Sequence, residues 1–82
     1  MEGKMTLEEV LKRFAHSYLA YYESRRPPMG LYDKMVSETE RAAITVALEK
    51  TKGNQIKAAK ILGINRNTLK SKMEKYKVGV SK

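Results

Sequence analysis

Asn54, Gly63 and Asn65 divide the last third of the chain into two short segments, and this punctuation constrains the fold more than any other feature. Asparagine starts helices well because its side-chain oxygen accepts one of the early backbone N–H groups that a helix leaves unpaired. Gly53 ends the segment before Asn54, so the spacing predicts a short helix from Gln55 to Leu62, with Ile56, Ala59 and Leu62 on its inner face. Asn65 then caps a second helix running to about Tyr76, and Ile64 is placed to staple onto Leu69. The turn Leu62-Gly63-Ile64-Asn65 needs a left-handed residue, which glycine supplies without a Cβ clash. Two short helices joined this way, over Asn54–Tyr76, form a helix-turn-helix.

At about 100° per residue, Leu69, Met73 and Tyr76 share the side of the last helix that faces the first. Arg66, Asn67, Lys70 and Ser71 share another arc at its N-terminal end, where a recognition helix meets base edges in the major groove. Arg66 suits a bidentate guanine contact, and the adenine-type pairing of Asn67 depends on how deeply the helix enters. Glu74 is repelled by phosphate and is expected outside the groove. Thr68, Lys72 and Lys75 flank the arc and suit phosphate, as do the amides and side chains of Asn54 and Gln55, with Lys57 nearby.

The charge distribution agrees. Residues 1–49 hold 7 Lys/Arg against 8 Asp/Glu, whereas residues 50–82 hold 10 Lys/Arg against Glu74 alone. That segment faces a polyanion. Charge alone fits nucleic acid, acidic membrane or a disordered tail. An amphipathic membrane helix needs a continuous apolar face, which Gly63 and the two Asn caps interrupt. Single-strand readers usually stack bases on a sheet, and no strand-like alternation is visible, so double-stranded DNA is favoured over RNA.

The N-terminal half reads as helix. Thr6-Leu7-Glu8-Glu9 has the capping-box spacing, and Leu7, Val10, Leu11, Phe14, Tyr18, Leu19 and Tyr22 follow on one stripe. Arg25-Arg26-Pro27-Pro28-Met29-Gly30 ends it. A second helix is predicted from about Leu31 to Lys50, roughly 30 Å long, with a stripe of Tyr32, Met35, Val36, Thr39, Ala42, Ala43, Val46 and Ala47. Its small residues let another helix approach closely. A chain of 82 residues buries only about 60–65% of its unfolded surface, so a partner subunit would add needed stability. Residues 6–50 are therefore expected to dimerise the reader within a single domain covering 1–82.

Catalysis has little support. The chain has no cysteine, His16 is its lone histidine, and the basic third lacks a nucleophile with a base or a carboxylate pair. No metal or cofactor is expected. The five tyrosines have helical spacing that favours packing over base stacking. The start resembles no targeting presequence, and no run reaches a membrane span, which points to a cytoplasmic protein.

The run Ala47-Leu48-Glu49-Lys50-Thr51-Lys52-Gly53-Asn54-Gln55, with Ala58-Ala59, Leu62 through Leu69 and Lys72-Met73, resembles the Fis-type helix-turn-helix over about Leu31 to Val78. That type occurs in nucleoid-associated Fis proteins and at the C-terminus of NtrC-type activators that work with sigma-54 RNA polymerase. The resemblance implies an all-α fold of four helices, the first two forming an intertwined homodimer with a second chain. It also implies binding to imperfect palindromes in a bacterial nucleoid, often with bending. Asn54, Asn65, Arg66, Thr68, Lys70 and Lys72 match family positions of DNA contact, while Ile56 and Ser71 depart from the Fis pattern.

The wording Ala-Leu-Glu-Lys-Thr and Arg-Asn-Thr-Leu looks closer to the activator branch, which binds upstream enhancer sites. There a receiver and an AAA+ ATPase would precede this domain and contact RNA polymerase. The alternative is a free-standing, DNA-bending Fis-like protein. About five residues precede the first helix, which leaves little room for the recombinase-activating arm of Fis.

Overall fold

The computed structural model describes residues 5–79 as four helices: α1 (Leu7–Tyr21), α2 (Leu31–Lys50), α3 (Gln55–Leu62) and α4 (Arg66–Tyr76). Among the described residues there is no strand, and no helix is long and apolar enough to cross a membrane. The all-α class expected from the sequence is the class observed. The chain forms two compact units, Met1–Val36 and Ser37–Lys82, with the boundary inside α2.

In the first unit, the Thr6 hydroxyl accepts from the Glu9 N–H and the Glu9 carboxylate accepts from the Thr6 N–H, both at 3.1 Å, so the capping box is complete. Tyr18 is buried, and its hydroxyl donates to the Met29 carbonyl, which ties the proline-containing loop back onto α1. Its ring packs with Phe14 and Tyr22 at centroid separations of 6.0 and 4.8 Å. The helix stops at Tyr21, before the prolines, with Tyr22 as its C-cap, and the Arg25 guanidinium donates to the Tyr21 carbonyl and lies 4.2 Å from the Tyr21 ring. Leu7, Val10 and Leu19 of the apolar stripe are exposed, as are Tyr32 and Val36 of α2.

In the second unit one core joins three helices. Ile44, Ala47 and Leu48 of α2 meet Ala58 and Ala59 of α3 and Leu69, Met73 and Tyr76 of α4, with Leu62, Ile64 and Val78 packed around them. The expected inner face of α3 is corrected here, and α2 proves to have a second apolar side beside its expected stripe. The buried side of α2 carries Ile44, Ala47 and Leu48, whereas Thr39, Ala42, Ala43 and Val46 are exposed. Only Ala47 belongs to both sets. The three-and-four-residue rhythm fits either side of a helix with two apolar faces, so periodicity located the stripe and not its partner. On α3, Ile56 is 56% exposed and Ala58 is fully buried in its place. Ala58, Ala59 and Leu62 lie within about 100° of arc, and Ile56 falls well outside it. Alanines at the contact let α3 approach closely where isoleucine would hold it off.

The turn is built as its residues dictate. Gly63 takes φ +74° and donates its N–H to Ala59, while the Ile64 N–H reaches the same carbonyl at 3.1 Å, closing the end of α3. A Cβ at Gly63 would meet nothing within 4 Å, so its objection to a side chain is purely conformational. Lys52 and Lys77 take the same left-handed region without being glycine.

Gly63→Ala should therefore lower unfolding free energy by about 1–2 kcal/mol, and Lys77→Gly, which relieves the same strain, should raise the urea midpoint. Equal midpoints for Gly63→Ala and the wild type would contradict the left-handed requirement.

Candidate nucleic-acid interface

Both helix starts of the helix-turn-helix use asparagine as expected. The Asn54 side-chain oxygen accepts from the Lys57 N–H at 3.0 Å, and that of Asn65 accepts from the Asn67 N–H at 2.7 Å. Each cap occupies the amide oxygen and leaves the side-chain NH2 as a donor, beside helix N-termini where backbone dipoles favour anions. Asn54, Lys57 and Asn65 are exposed, and Gln55 is half-buried.

Leu69, Met73 and Tyr76 turn one side of α4 into the core, Leu69 with no exposure at all. The rest follows from helical period. Arg66, Asn67, Lys70 and Ser71 are all exposed towards the N-terminal end of α4, as is Thr68, and Glu74 and Lys75 are exposed in its last turn. No acid occurs on α4 before Glu74. The result is a polar, basic arc on a helix held from behind by its apolar side, with Arg66 at its first position.

Lys72 is placed differently from its neighbours. Its ammonium lies 3.1 and 3.2 Å from the two carboxylate oxygens of Glu40 on α2. The Tyr76 hydroxyl donates to the same carboxylate at 2.6 Å. Arg41 adds a second tie, donating to the Tyr76 carbonyl at 3.4 Å with its guanidinium 5.5 Å from the Tyr76 ring, and the Lys75 ammonium is 5.3 Å from that ring. Hydrogen bonds from Tyr76, then from Lys72, hold the Glu40 carboxyl below its ordinary value, outweighing partial burial. The same bond, with burial, pushes the Tyr76 phenol up.

Neither Glu40 nor Arg41 was singled out by periodicity. The available signal was Glu40 one turn ahead of Ile44, an acid on what proves to be the buried side of α2.

Comparison with known proteins places this geometry. A family described as bacterial regulatory proteins of the Fis family matches residues 36–76, which runs from the end of the first unit to the last residue of α4. The transcriptional regulator NtrC of Rhizobium meliloti is 41% identical over 78 residues, covering 95% of this chain and 16% of that protein. The DNA-binding protein Fis of Glaesserella parasuis is 38% identical over 73 residues, covering 89% of this chain and 74% of that protein. A putative Fis-like DNA-binding protein of Pseudomonas aeruginosa is 35% identical over 75 residues, covering 92% and 70%. The chain thus spans about a sixth of the NtrC relative and most of the Fis relatives. No solved structure matches it.

The Glu40 cluster carries a pH signature. A carboxyl with a lowered folded pKa stabilises above its unfolded value, here ordinarily 4.5, and that stability is lost as pH falls through the folded value. The phenol, raised above 10.0, loses its contribution only as pH rises beyond that. The stability difference between wild type and Glu40→Gln should hold constant from about pH 6 to 9 and shrink in acid. Urea midpoints across this range measure it, and a difference that grows below pH 4.5 would contradict the assignment.

Proposed function

This chain belongs to the Fis family of bacterial regulatory proteins, and on that premise we propose that it binds specific double-stranded DNA sites as a homodimer. The observation that carries the reading is the exposed arc Arg66, Asn67, Lys70 and Ser71 at the start of a helix whose other side is locked into the core. A helix presented this way fits the major groove, where guanine offers two acceptors that a guanidinium can bridge. Thr68 and Lys75, with Asn54, Gln55, Lys57 and Asn65 around the two helix starts, are the phosphate contacts. They fix register and add affinity without reading sequence.

The homodimer is supported by the apolar side chains left exposed: Leu7, Val10, Leu19, Tyr32 and Val36, with Val46 on the outward side of α2. Residues 6–50 would supply the interface and 54–76 the reader. Two readers at fixed separation select a palindrome whose half-sites lie about one helical turn apart. No metal or cofactor is needed for such a function, which is that of a binding module in a bacterial cytoplasm, on the nucleoid, and not of an enzyme.

Within the family, the stronger reading is the DNA-binding domain of an NtrC-type activator that binds upstream enhancer sites. The match to NtrC of Rhizobium meliloti supports it. Upstream domains would then deal with RNA polymerase. A free-standing, DNA-bending Fis-like protein is the second reading, favoured by the extent to which the chain covers its Fis relatives. The complete reading frame separates the two, since only the first carries an ATPase domain ahead of α1.

Arg66→Ala should cost about 1–3 kcal/mol on a selected duplex and flatten sequence preference, while Lys75→Ala should weaken selected and random duplexes alike and shallow the salt slope by about 1. Titration by fluorescence anisotropy checks this, and equal losses on both duplexes for both variants would refute the division of roles. Sedimentation at micromolar concentration should give a dimer. A stable folded monomer would remove the homodimer from the reading.

A further inference from the structure

Among the described Lys and Arg side chains after residue 49, Lys72 is set apart by its environment. Its ammonium touches both oxygens of one carboxylate, and its side chain is only 30% exposed, against 29% for that of Glu40. The carboxylate cannot follow Lys72 away from α2. It is held from a second direction by the Tyr76 hydroxyl at 2.6 Å, and the Tyr76 ring is fixed in the core. A phosphate approaching Lys72 would exchange one charge-assisted contact for another and leave a half-buried carboxylate facing a polyanion. The exchange has no evident gain.

We propose that Glu40 withholds Lys72 from DNA phosphate and thereby lowers the sequence-independent part of DNA affinity, leaving the base-reading arc of α4 untouched. The inference rests on the DNA-binding reading above. Each phosphate neutralised by a protein cation releases condensed counterions and steepens the dependence of log affinity on log salt by about 0.9. A lysine cancelled by its own carboxylate adds nothing to that slope. Lys57, Lys70 and Lys75, exposed on α3 and α4, remain to contribute to it. Glu40 is thus a positioning residue that acts through Lys72, while Tyr76 keeps the carboxylate in place.

The test uses the full chain and fluorescein-labelled random and selected duplexes, titrated by anisotropy between roughly 50 and 200 mM salt. Glu40→Gln keeps a carbonyl acceptor for the Tyr76 hydroxyl, so α4 stays anchored, but it removes the charge that holds Lys72. Binding to both duplexes should tighten several-fold, and the slope should steepen by about 0.9 for each subunit engaged. Glu49→Gln makes the same charge change at an exposed position of α2 and serves as the control. An unchanged slope in Glu40→Gln, or equal steepening in Glu49→Gln, would overturn the proposal. Wild-type protein gives an independent readout through acetylation rates at individual lysines. Lys72 should react slowly and no slower with saturating duplex, whereas Lys70 becomes protected; DNA-dependent protection of Lys72 would overturn the proposal. A wild type that binds no duplex at low salt would sink the DNA-binding reading along with it, whereas binding with an unaltered slope sinks this inference alone.

Discussion

Burial of the apolar side of α4 against α2 and α3 is the interaction on which the second unit depends. Leu69 has no exposed surface, and Met73 and Tyr76 extend the contact along the helix. Removing side chains of this size from water contributes about 1.5–3 kcal/mol each, a large share of the stability available to a small unit. The same contact fixes the rotation of α4 about its axis. Because α4 cannot turn without exposing Leu69, its polar arc always faces outward at one angle, and Arg66, Asn67, Lys70 and Ser71 are presented together. Stability and presentation are two results of one packing event.

The Glu40 cluster works on the same helix from its C-terminal end. Hydrophobic contact sets how deeply α4 lies, but it is non-directional and tolerates sliding. Hydrogen bonds from Tyr76 and Lys72 to one carboxylate, with Arg41 donating to the last carbonyl of α4, are directional and oppose that slide. The Glu40–Lys72 pair at the centre of the cluster is neutral across ordinary pH because the carboxyl is held ionised, and the Tyr76 phenol beside it stays protonated. It therefore adds order to a strongly basic surface without adding to the positive field.

The two sides of α2 divide the labour of the chain. Ile44, Ala47 and Leu48 serve the core of the helix-turn-helix, while Thr39, Ala42, Ala43 and Val46 stay uncovered. A helix with two apolar faces suits a chain too short to bury both by itself. Exposed apolar side chains on α1 raise the same demand for cover. This surplus of apolar surface on α1 and α2 is what supports the proposed homodimer.

Local chemistry made much of this legible in the sequence. The capping box at Thr6 and Glu9, the two asparagine caps, the left-handed Gly63 and the core triad of α4 depend on neighbours a few residues away, so short spacings specify them. Family likeness followed from the same run of residues. Tertiary structure alone decided which face of α2 is buried, why Ala58 replaces Ile56 against the core, and that Lys72 belongs to Glu40 across 32 positions of chain. Periodicity reports that a face exists and not what it meets, because the partner of a side chain is chosen by how separate helices pack, and that choice is made only when the chain closes on itself.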